Sequence, residues 1–183
     1  MNRDDAPVAR CTVSSARGLT RHPREGLDAT WTLAERIEVR PADAHAEVAV
    51  VRVGFLSDMP VGDELGGYLD PIILALEDAI GEGRLRVAVE VVAMHVRGLP
   101  TGTSRNVRDA FASLVSDGCL IIGSAGVTDN ALVLRTEIEA ACVPYVTMAG
   151  TTRFVGEYCF SLANGGHGEE AAILASFLAD QGH

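Results

Sequence analysis

The sequence predicts an α/β fold, a three-layer sandwich built on a mostly parallel sheet of about five strands. Three observations point there. From Ala49 onward, short β-rich runs alternate with segments of helical period. The runs at Cys119–Ile122 and Val143–Met148 are short and apolar, as strands buried on both faces of a parallel sheet are. Aromatic residues make up only 5% of the chain, while apolar residues reach 48% and glycines number 19. Small aliphatic side chains of this kind suit strands and helices in close-packed layers.

The elements follow in order. Residues 1–48 read as an N-terminal extension, poorly ordered or docked, with no sustained period. Within it Thr30–Val39 could form a short amphipathic element whose Trp31, Leu33 and Ile37 dock on the rest. Val50–Leu56 is the first strand and Asp58–Gly67 a loop with Pro and Gly breakers. Leu69–Ile80 has helical spacing, with Pro71 tolerated near its first turn and Gly81–Gly83 closing it. Leu85–Val96 is a Val-rich strand. Ser104–Ser116 is a helix with Ser104 as N-cap and Val107, Phe111 and Leu114 on one face. The strand Cys119–Ile122 leads through Gly123–Gly126 into a helix capped by Thr128 or Asp129 and running to Ala141. Val143–Met148 and Tyr158–Leu162 are the last strands, and a final helix covers Glu169–Leu178.

At 183 residues the chain is one domain with an appendage. Its formal net charge is −10, from 15 basic and 25 acidic residues, and such a field repels phosphate backbones. A nucleic-acid partner is therefore not expected. All the basic residues are Arg, which removes Schiff-base chemistry and the Lys of a P-loop. The charge is unequally divided: residues 1–48 hold 7 Arg and 8 acids, the remainder 8 Arg and 17 acids. This step suggests a boundary, with residues 49–183 as the main domain. No run reaches transmembrane length, so no membrane span is expected. The four cysteines form no CxxC, and reduced buried thiols are expected, although Cys119 and Cys142 could face each other on neighbouring strands. No cofactor and no metal site are expected: Glu169 and Glu170 beside His167 fit a helix dipole better than a ligand set.

The functional clue is the loops that follow the strands. In parallel sheets ligands bind beyond the carboxyl ends of the strands. Gly123–Thr128 (GSAGVT) passes from a strand into a helix, where free N–H groups favour an anion. Ala149–Thr152 (AGTT) ends the next strand with hydroxyls and backbone groups. Either loop could equally be a capped turn; two together make a site for a small zwitterion more plausible than one. Ser124 has no evident His or Asp partner in sequence, there is no GxSxG elbow, and no catalytic residue is assigned. The segment from Ser57 to Tyr68 is a third such strand-end loop; its acids Asp58, Asp63 and Glu64 lie near the site and are expected to be solvated, although one could meet an ammonium group.

The order of these segments resembles type I periplasmic binding proteins, the Leu/Ile/Val-binding group. VRVGFLS at Val51–Ser57 is similar to that family's first strand, and VRDAFASLVSDGCLIIG at Val107–Gly123 to its helix and third strand. VPYVTMAGT at Val143–Thr151 resembles its fourth strand and loop. The resemblance covers about Val50 to His183 and implies the N-terminal lobe without the second, whether as a fragment, a truncated product or half of a split protein. It implies a non-catalytic lobe that binds an amino acid or amide for an ABC transporter, with an ABC permease as partner. A cytoplasmic sensing module of the same fold, acting on a regulatory partner, is the alternative. Carried over by position, the ligand-binding residues are Val127, Thr128, Ala149, Gly150 and Thr151. The chain as written shows no signal peptide and reads as cytoplasmic, whereas exported members of the family are periplasmic or cell-surface.

Overall fold

The computed structural model describes residues 11–21, 31–41, 48–58, 66–124, 126–162 and 167–182. Seven strands form one sheet among them: β1 (Cys11–Arg21), β2 (Trp31–Pro41), β3 (Val50–Ser57), β4 (Ala88–His95), β5 (Ile121–Ser124), β6 (Tyr145–Thr147) and β7 (Cys159–Ser161). Their order across the sheet is β1-β2-β4-β3-β5-β6-β7. From β4 to β7 every neighbouring pair is parallel. The coarse class read from the sequence, α/β layers on a mostly parallel sheet, is the class observed.

The other two strands come from the segment expected to be an extension. β1 and β2 form an antiparallel hairpin, and β2 pairs antiparallel with β4 from Leu33↔His95 to Val39↔Val89. Glu35, Ile37 and Val39 are buried, whereas Arg36, Glu38 and Arg40 are partly exposed. That is the period of two of a half-covered strand. The acidic Glu35 interrupts the apolar row, which hides the period in the sequence. The side chains of Trp31 and Leu33 lie outside the described residues.

Helices lie on both faces. On one, α1 (Gly66–Gly81) packs Leu69 and Ile80 against Ile37, Phe55, Val89 and Val91. Ile121 of β5 and Phe160 of β7 stay exposed on that α1 side, where fully covered strands were expected. On the other, α2 (Ser104–Ser116) and α3 (Thr128–Ala141) pack Phe111, Leu114, Leu134 and Ile138 against Leu56, Ile122 and Tyr145. Each such side chain contributes roughly 1.5–3 kcal/mol by leaving water. Phe55 and Leu56 belong to opposite cores because successive strand residues point to opposite faces.

Helix ends differ from the sequence reading in instructive ways. α1 starts a turn before Leu69, so Pro71 falls inside it. Thr103, not Ser104, caps α2: its backbone is extended and its hydroxyl accepts from the Asn106 N–H at 3.3 Å. α3 has Val127 at the cap position, which carries no hydroxyl. α4 (His167–Asp180) is exposed at every described side chain, Ile173, Leu174 and Phe177 included.

Cys119 and Cys142 are not partners. Cys119 is buried under Gly54, whereas Cys142 ends α3 in the left-handed region and is exposed. Cys119, Cys142 and Cys159 are all free thiols. No helix among the described residues is long and apolar enough to cross a membrane.

Candidate active site

The parallel strands end in a polar row. β3 ends at Ser57, β4 at His95, β5 at Ser124 and β6 at Thr147. Register aligns them: Ser57 lies opposite His95, Leu56 opposite Ser124, and Ser124 opposite Thr147. Burial singles out the same edge. Apart from Glu35, the buried polar residues among those described are Ser57, Asp58, Ser124, Asn130 and Thr147. All five stand at the carboxyl ends of strands or in the first turn of α3. Buried polar groups are expensive unless bonded, so their concentration on one edge is informative.

Two constellations share this edge. On the α1 side, the Ser57 hydroxyl lies 3.3 Å from His95 Nδ1. The pair forms because the parallel register places both residues opposite each other with side chains on one face. On the α2–α3 side, Asp58 is only 4% exposed. Its carboxylate accepts from the Val127 N–H at 3.1 and 3.3 Å and from Asn130 Nδ2 at 3.0 Å. Burial pushes its pKa above the ordinary carboxylate value, while the donors from Asn130 and Val127 oppose that rise. Asp58 thus supplies what Val127 cannot, an acceptor at the positive end of α3.

The neighbouring turn is held just as locally. The Ser124 hydroxyl accepts from the Gly126 N–H at 3.1 Å, and Thr147 Oγ1 accepts from the Ala149 N–H at 3.3 Å. Gly126 has φ +80°, and a Cβ there would collide with Thr147 Oγ1. The glycine is therefore required by the close approach of strand β6. Tyr145 runs beneath, fully buried, and burial drives its phenol pKa upward.

The residues expected to face a ligand fall as follows. Val127 has its N–H directed at Asp58. Thr128 and Gly150 come together, the Gly150 N–H donating to Thr128 Oγ1 at 3.4 Å. Ala149 is buried, and its carbonyl accepts from the Ser161 hydroxyl at 2.6 Å. Thr151 is partly buried and caps a 3-10 turn at Thr152–Phe154 by accepting from the Arg153 N–H at 3.3 Å. The two loops are thus neighbours, and the bonds among them are those of capped turns.

His95 and Asn130 escaped the sequence reading, while Ser57 and Asp58 were read only as part of a strand-end loop. Ser57 and His95 end apolar runs, FLS and AMH, and a polar residue closing each of two parallel strands was the available signal. Asp58 was expected to be solvated; it is buried because α3 offers it donors. Asn130 carried no signal, since its partners lie in distant segments. Among the described residues no group of three His, Cys, Asp or Glu side chains could hold a metal ion.

No protein-family model and no curated protein matches this chain. Among solved structures it is similar to a bacterial heroin esterase at 15% identity, with a TM-score of 0.41 over 79% of this chain and 46% of that one. It is similar to a thermostable esterase from Pseudomonas putida at 14% identity, TM-score 0.37, over 78% of this chain and 44% of that one. A tomato leucine aminopeptidase mutant matches at 11% identity, TM-score 0.32, over 93% of this chain and 46% of that one. The chain spans under half the length of these proteins. The resemblance to type I periplasmic binding proteins is corrected: the solved structures named are two esterases and an aminopeptidase. The expected non-catalytic lobe, the ABC-transporter role and the regulatory alternative are corrected with it. The physical reason is that the resemblance rested on the order of strands and helices and on short apolar strings, which many α/β layer proteins of different function share. At TM-scores below 0.5 the likeness transfers no activity, so the function has to be argued from the chain's own side chains.

Proposed function

We propose that the chain carries a hydrolytic site at the carboxyl edge of the sheet, with Ser57 as nucleophile and His95 as its base. The observation that supports this reading is the 3.3 Å approach of His95 Nδ1 to Ser57 Oγ. A serine hydroxyl is a weak nucleophile until a base within hydrogen-bond reach takes its proton. Ser57 Oγ attacks the carbonyl carbon of a small ester or amide as its proton passes to Nδ1. The tetrahedral intermediate expels the alcohol or amine, which takes that proton back. Water, deprotonated by the same imidazole, then releases the acid and restores Ser57. For Nδ1 to accept the serine proton, the resting ring carries its hydrogen on Nε2.

Thr128, Gly150 and Thr151 enter this proposal as the rim that meets the polar part of the substrate, with Val127 and the buried Ala149 behind it, bonded to Asp58 and Ser161. Strands β3, β5 and β6 are successive neighbours, so Ser57 and Thr147 are roughly 10 Å apart across the sheet at ~4.8 Å per strand. A small polar substrate can span that interval. Ser57 is 1% exposed, so acylation requires local opening of the edge and slow turnover is expected.

The test is hydrolysis of p-nitrophenyl acetate, with fluorophosphonate labelling followed by peptide mass spectrometry. Ser57→Ala should abolish labelling, and His95→Ala should lower kcat by ~10²–10⁴-fold. Label on another residue, or turnover unchanged by Ser57→Ala, would remove Ser57 from the reaction.

A further inference from the structure

Asn130 is 1% exposed and bonds to two segments far from it in sequence. Its Oδ1 accepts from the Leu99 N–H at 2.9 Å, and its Nδ2 donates to the Leu99 carbonyl at 3.1 Å. This two-point clasp sets which way round the amide lies, so the second Nδ2 hydrogen is aimed at Asp58 Oδ2, 3.0 Å away. Gly98 lies so close that a Cβ there would collide with the Asn130 amide.

Followed through the chain, these bonds close a ring. Ser57 is followed by Asp58, Asp58 is held by Asn130, and Asn130 clasps Leu99. Leu99 is four residues after His95, and His95 returns to Ser57 through its ring. The Val96 N–H to Ser57 carbonyl bond, 2.9 Å, braces the ring across its middle. The stretch between His95 and Leu99 is stiffened by the Arg97 carbonyl, which accepts from the Thr103 N–H at 3.3 Å and from Asn106 Nδ2 at 3.0 Å.

We infer that Asn130 is a positioning residue for the Ser57–His95 pair, acting through Asp58 on one side and Leu99 on the other. The inference rests on the hydrolytic reading of that pair, but its geometric half does not. Asn130 touches neither reacting group. It holds the ends of β3 and β4 at the spacing at which the imidazole meets the hydroxyl.

Asn130→Asp puts a carboxylate against Asp58 and against the Leu99 carbonyl, turning two attractions into repulsions. The reciprocal pair Asp58→Asn with Asn130→Asp restores one donor and one carboxylate across the same contact. Two readouts separate the claims. The first is kinetic: Asn130→Asp should lower kcat by ~10²-fold with KM little changed, as displacement of about an ångström does, and the double variant should recover part of it, because the Leu99 carbonyl still faces a carboxylate oxygen. The second needs no turnover: in ¹⁵N spectra of the whole chain, the His95 Nδ1 resonance should lose its hydrogen-bonded signature in Asn130→Asp and regain it in part in the double variant. Absent hydrolysis in the parent with the spectral change present would refute the hydrolytic reading and leave the clasp standing. An unchanged His95 spectrum in folded Asn130→Asp would overturn the positioning role. If Asn130→Asp fails to fold, Asn130→Ala, which removes the bonds to Asp58 and Leu99 and adds no charge, decides: a lost His95 signature with lowered kcat supports the role, and a folded Asn130→Ala with signature and kcat like the parent's overturns it.

Discussion

At the scale of single residues, strain and burial make different demands. Gly126 occupies the left-handed region beside Thr147. Gly126→Ala must bear a positive φ and a steric collision together. A loss of ~1–3 kcal/mol is expected in urea unfolding, with Ser124 and Thr147 as the residues disturbed. The thiols separate by environment. Burial pushes Cys119 up to about 11 and Cys159 up to about 12, whereas Cys142 is exposed. Thiolate is the reactive form, so iodoacetamide at neutral pH should modify Cys142 first and leave Cys119 and Cys159 until unfolding. Peptide mapping of the alkylated chain checks this.

At the scale of elements, the β1–β2 hairpin is tied to the parallel strands by an ion cluster near their amino ends. Arg36 of β2 reaches Asp117 at 2.8 Å and Glu90 of β4 at 3.5 Å, and Arg52 of β3 meets Glu90 at 2.5 Å. The Arg52 hydrogen bond leads in holding the Glu90 carboxyl below its ordinary value, with Arg36 adding attraction against the opposing effect of burial. A carboxylate lowered in the folded state stabilises above its unfolded pKa and loses that stabilisation as pH falls through the folded value. The loss therefore belongs below about pH 4.3. Arg36 is 41% exposed at its side chain, so solvent screening keeps its share small. Arg36→Ala should cost less than ~1 kcal/mol near neutral pH, and less again in molar salt. Equal costs at low and high salt would assign the effect to packing.

At the scale of the whole molecule, the hairpin decides where the folding unit begins. The charge step near residue 48 suggested a boundary there, with residues 49–183 as the main domain. In the structure β2 covers the edge of β4 along seven paired positions, and Ile37 and Val39 sit in the core beneath α1. Removing residues 1–47 would expose that edge and forfeit roughly 1.5–3 kcal/mol for each of those two side chains. The truncated chain is expected to show a lowered thermal midpoint and concentration-dependent association through the bared strand. A midpoint equal to the parent's would make the hairpin an ornament on a self-sufficient sheet.

The sequence by itself determined the layers. Short apolar runs such as CLII and VPYV, bounded by breakers and too short for helices, read as strands, and helical spacing from Val107 to Leu114 gives one face to bury against them. Local rules sufficed because strand and helix periods are properties of neighbouring residues. They failed at β2, where Glu35 falls in the buried row and breaks the pattern that would have announced a strand. They failed again at the candidate site. Ser57 meets His95 through a parallel register that pairs residues 38 apart in sequence, and Asp58 meets Asn130 across 72. No local pattern encodes such pairings; they exist once β3 is flanked by β4 on one side and β5 on the other. Thr128 and Thr151 were visible because loops rich in Gly and Thr are conspicuous. The tertiary structure turned Thr151 toward its own turn and gave the start of α3 to Asp58, because a buried helix end binds the nearest acceptor the fold can deliver.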